Sequence, residues 1–117
     1  MIPKFRAWFG SEMYDKPVVY DGEFYLDWRD FENGKTYNGV VLMQFTGVFD
    51  KNGKEIFEGD VVNIFGEKLS KIYYSDGAFC VDILIGGTPL HAFLSEQLEI
   101  IGNIHRNPEL MEEVLND

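Results

Sequence analysis

Apolar residues come in short runs along this chain, divided by polar pairs that contain glycine, and a helical stripe appears only at the end. The densest apolar stretch, residues 40–65, organises the rest. Residues 40–46 read as a buried strand that Gly47 ends, and a polar turn through Asn52-Gly53 returns the chain to the core at Ile56-Phe57. Gly59-Asp60 is a second corner: glycine supplies positive φ, the aspartate can bond nearby backbone amides, and residues 61–65 leave as a strand.

Before this stretch, residues 4–9 alternate as a short strand with Phe5 and Ala7 inward, and Gly10-Ser11 ends it. Residues 18–20 and 23–26 flank Asp21-Gly22, the signature of a type I′ hairpin. Residues 27–39 mix aromatics, charges and Asn-Gly signals without a sustained period and read as a loop or edge element. Within it Trp28, Phe31 and Tyr37 either pack the loop or face a partner.

After it, residues 69–74 form a strand, Asp76-Gly77 turns the chain, and residues 78–84 form another. That strand places Phe79, Val81 and Ile83 on one face and Cys80 and Asp82 on the other. Residues 86–89 read as a wider loop, and residues 90–94 and 98–104 as the last strands. The pattern predicts a mainly β chain: one domain over 1–117, with an N-terminal hairpin and loop over 1–39 and a small barrel or SH3-like half-barrel over 40–104. A short C-terminal helix over 107–116 starts with Asn107 as N-cap, Pro108 and Glu109, and aligns Leu110, Met111, Val114 and Leu115.

Charge changes this picture more than composition does. Twenty acidic residues against ten Lys and Arg leave a net charge of −10, which repels nucleic-acid phosphates and anionic membranes. A single cysteine, Cys80, forms no internal disulfide and suits a reducing compartment. The first residues lack a signal-peptide core and no apolar run reaches membrane-spanning length, so a cytoplasmic location is expected.

Candidate chemistry is sparse. Asp50, Asn52, Glu55, Glu58 and Asp60 invite a calcium reading, but Gly53 stands fourth where an EF-hand loop needs its glycine sixth, so they read as solvated turn acids. Cys80 reads as a sheet residue, and His91 and His105 have no partner at metal-ligand spacing. Residues 86–89 lack the spacing and lysine of a phosphate loop. No catalytic, cofactor or metal residue is therefore assigned, and a non-enzymatic chain is expected. The alternative is a weak nucleic-acid binder, gathering Lys4, Arg6, Lys68, Lys71 and Arg106 with Tyr73 and Tyr74 as stacking rings.

Three stretches carry a family resemblance: Leu42-Met43-Gln44-Phe45-Thr46-Gly47, the run from Asp50 to Val62, and Ile101-Gly102-Asn103-Ile104-His105-Arg106-Asn107-Pro108-Glu109-Leu110. With Lys4-Phe5-Arg6-Ala7-Trp8 and Ser75-Asp76-Gly77-Ala78-Phe79, they closely resemble the YopX family, small proteins of bacteriophages and prophages. The chain departs from the pattern at Phe9-Gly10, where an acid is expected, and at His105-Arg106, where tyrosine and an acid are common. The resemblance implies a mainly β fold and a phage setting, and brings no established activity, cofactor or catalytic residue. The expected role is a phage or prophage accessory protein in the bacterial host cytoplasm. It would bind a host or phage protein and self-associate as a homo-oligomer, with no nucleic acid or membrane as main partner. Trp28, Phe31 and Tyr37 are the candidate contacts, and Asp21, Gly22, Asn52, Gly53, Gly59, Asp60, Asp76 and Gly77 the structural turns.

Overall fold

Positive-φ turns set the strand pairing. The structure, a computed structural model, describes residues 4–84, 86–110 and 112, and divides into two compact units, Met1–Gln44 and Phe45–Asp117. It is mainly β, with a curled half-barrel sheet and one short α-helix among the described residues.

In the first unit, β1 (Phe5–Phe9) turns through Gly10-Ser11 into β2 (Glu12–Tyr14), pairing Phe9 with Glu12 and Ala7 with Tyr14. Gly10-Ser11 thus links a hairpin rather than merely closing a strand. β3 (Val18–Tyr20) and β4 (Glu23–Tyr25) pair across Asp21-Gly22, whose φ values of 52° and 80° are those of the predicted type I′ turn. The stretch expected to be a loop contains a helix, α1 (Trp28–Glu32), because Asp27 caps it and an i,i+4 bond closes it. β5 (Val41–Phe49) follows, and its first half pairs with β1, Ala7 facing Leu42.

Gly47 does not end β5. It adopts φ 86° inside a bulge: four residue steps from Phe45 to Phe49 oppose two from Phe57 to Glu55 in β6 (Glu55–Phe57). Thr46 repairs the interrupted ladder, its Oγ1 donating to the Ile56 carbonyl at 2.8 Å and accepting from Val48 N–H at 3.1 Å.

The second unit is built on β7 (Asp60–Ile64), flanked by β8 (Lys68–Lys71) and by β12 (Leu98–Asn103), antiparallel on both sides. A second sheet sets β10 (Ala78–Leu84) between β9 (Tyr73–Ser75) and β11 (Gly86–Pro89). Buried Ser70 links the sheets, its Oγ accepting from Asp82 N–H at 2.9 Å and donating to the Lys71 carbonyl at 3.0 Å. The core is Ile56, Val62, Ile64, Ile72, Val81, Leu90 and Leu98, with Phe79 and Ile83 packed on it as alternation along β10 requires.

Three boundaries differ from the sequence reading. Residues 69–74 are two strands broken at buried Ile72. Residues 86–89 pair as β11 instead of looping, and residues 90–94 begin with a 3-10 turn, Leu90–Ala92, whose Phe93 N–H reaches the Leu90 carbonyl. Half of the helix expected over 107–116, residue 111 and residues 113–116, lies outside the described residues. At its start the Asn107 side chain accepts from Asn103 N–H at 3.2 Å, turning back toward β12.

Candidate functional site

The candidate contact residues separate into two places in the first unit. Asp27, extended at φ −154°, accepts from Asp30 N–H at 2.9 Å and starts α1, so Trp28, Phe31 and Glu32 project at helical spacing. The Trp28 indole N–H donates to Glu32 Oε1 at 2.7 Å, which fixes the ring. The type I′ turn makes Tyr20 face Glu23 and Val18 face Tyr25, so both tyrosines share one face of the hairpin. That face meets Phe31. Its ring centroid lies 5.1 Å from Trp28, 5.2 Å from Tyr25 and 5.5 Å from Tyr20, the tyrosines edge-on.

Phe31 and Tyr25 are half-buried in this cluster, whereas Trp28 is 61% and Tyr20 63% exposed. Tyr37 lies apart, its ring tilted against Phe9 with centroids 4.8 Å apart and covered by the Lys35 ammonium at 5.1 Å. The Tyr37 hydrogen bond, followed by its charge, raises the Lys35 pKa. Tyr37 also lines a cleft of about 380 Å³ with Phe24, Asn38 and Leu42. Tyr20 and Tyr25 were missed as candidates, although the two-residue turn already dictated that they share a face.

Two acids of the central turns, Asp50 and Asp60, are buried rather than solvated and hold neighbouring polar groups. Asp50, 2% exposed, accepts at Oδ1 from Asn52 and Lys54 N–H, both at 2.9 Å, and at Oδ2 from Ile100 N–H at 3.1 Å. Lys51 N–H donates to the Leu98 carbonyl at 2.8 Å, so the 50–54 turn lies along the edge of β12 and satisfies its outward backbone groups. Asp60 Oδ2 accepts from Phe57 N–H at 2.8 Å, and its Oδ1 accepts from the Asn103 amide at 3.1 Å. Of the predicted turn residues, Asp21, Gly22, Gly53, Gly59, Asp76 and Gly77 adopt positive φ, and Asn52 lies in the exposed turn that Asp50 braces.

Cys80 is buried and lines a groove of about 260 Å³ with Tyr73, Asp76 and Gly87, its thiol donating to the Ala78 carbonyl at 3.6 Å. The Tyr73 hydroxyl donates to Asp82 at 2.6 Å, and that bond, with burial and the carboxylate charge, pushes its pKa up to about 12. Of the rings and bases proposed for nucleic acid, Tyr73 is thus tied to a carboxylate and Tyr74 packs edge-on against Phe79, while Lys68 and Lys71 lie on β8. Burial lowers the His105 pKa. Among the described residues no three His, Cys, Asp or Glu side chains gather to hold a metal ion, and no helix is long and apolar enough to cross a membrane.

These features define a small mainly β chain with an aromatic surface patch and turns locked by buried carboxylates. The family model described as YopX protein matches residues 4–112, so the chain belongs to the YopX family. The crystal structure of protein EF1440 from Enterococcus faecalis is similar with a TM-score of 0.66 and 30% identity, over 95% of this chain and 99% of that one. The crystal structure of protein yopX from Bacillus subtilis shares the fold, with a TM-score of 0.59 and 21% identity over 91% of this chain and 95% of that one. No curated protein matches the chain.

Proposed function

We propose that this chain is a non-enzymatic phage or prophage accessory protein that binds another protein and self-associates, acting in the cytoplasm of the bacterial host. The observation that carries the reading is Trp28, a large ring left 61% exposed on a capped helix and pinned by Glu32. Exposed, rigid tryptophans beside other aromatics are the residues that anchor protein contacts, because they bury much surface at little entropic cost. The non-enzymatic part is supported by Cys80, whose thiol is spent on a carbonyl, and by the structural use of Asp50 and Asp60. The phage setting rests on the family.

A tagged pull-down from the host bacterium, with and without nuclease, tests the binding role. A stoichiometric protein that survives nuclease and is lost with Trp28→Ala is expected. Recovery that vanishes with nuclease would overturn the reading in favour of nucleic acid. Light scattering tests self-association, with a mass above the 13.5 kDa of one chain expected at micromolar concentration.

A further inference from the structure

The aromatic patch has a chemical preference built into its frame. Residues 18–34 carry five acids, Asp21, Glu23, Asp27, Asp30 and Glu32, against one base, Arg29. Glu32 touches the cluster directly, holding the indole edge, while Asp21 follows Tyr20 in the turn and Asp27 precedes Trp28 as the N-cap of α1. Exposed ring faces are negative at their centres, so a cation over them is attracted by the rings and by the carboxylates alike.

We propose that this patch receives an arginine side chain presented by a partner protein, stacked on Trp28 and Tyr20 and paired with Glu32. The proposal rests on the protein-binding reading above and deepens it. A guanidinium fits better than an ammonium for two reasons: it is planar and stacks on a ring, and its fork of N–H groups suits a carboxylate at the ring edge. Glu32 Oε1 accepts the indole N–H, and its other oxygen retains acceptor capacity for that fork. Phe31 supplies the floor: half-buried and in contact with Trp28, Tyr20 and Tyr25, it holds the exposed rings in place before any partner arrives.

The test must separate this site from the diffuse attraction of any polycation to a chain of net charge −10. Short arginine–glycine, lysine–glycine and glutamate–glycine repeat peptides are titrated into the full chain while the indole N–H resonances are followed by NMR. The arginine peptide is expected to bind tightest and to shift the Trp28 indole, and the glutamate peptide not to bind. Trp28→Ala keeps every charge and removes an exposed ring, so it should weaken the arginine peptide about tenfold. Glu32→Gln preserves an oxygen for the indole and should weaken it severalfold. Unchanged affinity in Trp28→Ala, or equal affinity for arginine and lysine peptides, overturns the proposal. A captured partner that needs Trp28 but tolerates loss of its arginines would overturn the proposal and leave the protein-binding reading standing. Tight, Trp28-dependent binding of the arginine peptide supports the proposal, whereas failure to capture any protein that needs Trp28 would overturn the protein-binding reading on which it rests.

Discussion

Replacing Asp50 by alanine should unfasten the edge of β12. The carboxylate takes three backbone N–H groups, and each is left differently by its loss. Asn52 and Lys54 lie in an exposed turn, so their amides can turn to water at about 0.5–1.5 kcal/mol each. Ile100 N–H lies within β12 beside the bulge between Ile100 and Gly102, and stranding it costs about 1–3 kcal/mol. A loss of about 3 kcal/mol follows, large against the roughly 5–15 kcal/mol of an ordinary domain, and worth about 10 °C in Tm. The assay is urea unfolding together with amide hydrogen exchange, which reads Ile100 directly. The pH dependence is a second, independent check. Burial pushes the Asp50 carboxyl up, but the amides of Ile100, Lys54 and Asn52 and the Lys54 charge outweigh it and hold it below the ordinary 3.8. A depressed folded pKa means that the stabilisation is fully present above the unfolded value and is lost as pH falls through the folded one. The gap between wild type and Asp50→Ala should therefore hold from neutrality down to about pH 5 and narrow below 3.8. Asp50→Asn, which offers one oxygen to the turn but an N–H to Ile100, should fall between the two at neutral pH. A change under about 0.5 kcal/mol in Asp50→Ala, with Ile100 exchange unaltered, would refute the reasoning.

Other perturbations separate the forces at neighbouring positions. Asn103→Ala unties Asp60 and the His105 N–H together and should cost about 2 kcal/mol in the same urea assay. Gly47→Ala meets no atom within 4 Å, so only its φ of 86° is strained and about 1 kcal/mol should be lost. Gly102→Ala is the converse: its Cβ would lie 2.5 Å from Leu110 Cδ1 and 2.7 Å from Asn107 Oδ1, costing about 1–3 kcal/mol through overpacking. Ultraviolet titration of the phenols should find one group ionising near 12, and Asp82→Asn should return it toward 10.0. Gly87→Ala, whose Cβ would run into the Tyr73 hydroxyl, should lower it too; a titration unchanged in both variants would exclude the Tyr73–Asp82 pair as its cause.

How far the sequence reaches depends on whether the cause is local. The Asp21-Gly22 hairpin was legible because its turn type needs two adjacent positive-φ residues, and those residues are adjacent in the chain. The face of Phe79, Val81 and Ile83 was legible because strand period fixes it. Gly47 misled because positive φ ends a strand in one setting and bulges it in another, and the choice lay with Thr46 and the facing β6. Asp50 misled for a similar reason. Its turn is polar and looks solvated, yet the partner that buries its carboxylate is Ile100, fifty residues away. The candidate site divides along the same line. Trp28 and Phe31 could be named from their chemistry, but nothing local told which ring would be floor and which would be surface. That was decided by the hairpin register: by turning Tyr20 and Tyr25 onto Phe31, it half-buries Phe31 and leaves Trp28 at the rim among the acids. Any partner that uses the patch must therefore be sensitive to the Asp21-Gly22 turn as well as to Trp28. A substitution that breaks the turn, such as Gly22→Val, should abolish binding while leaving the buried core of residues 45–104 intact.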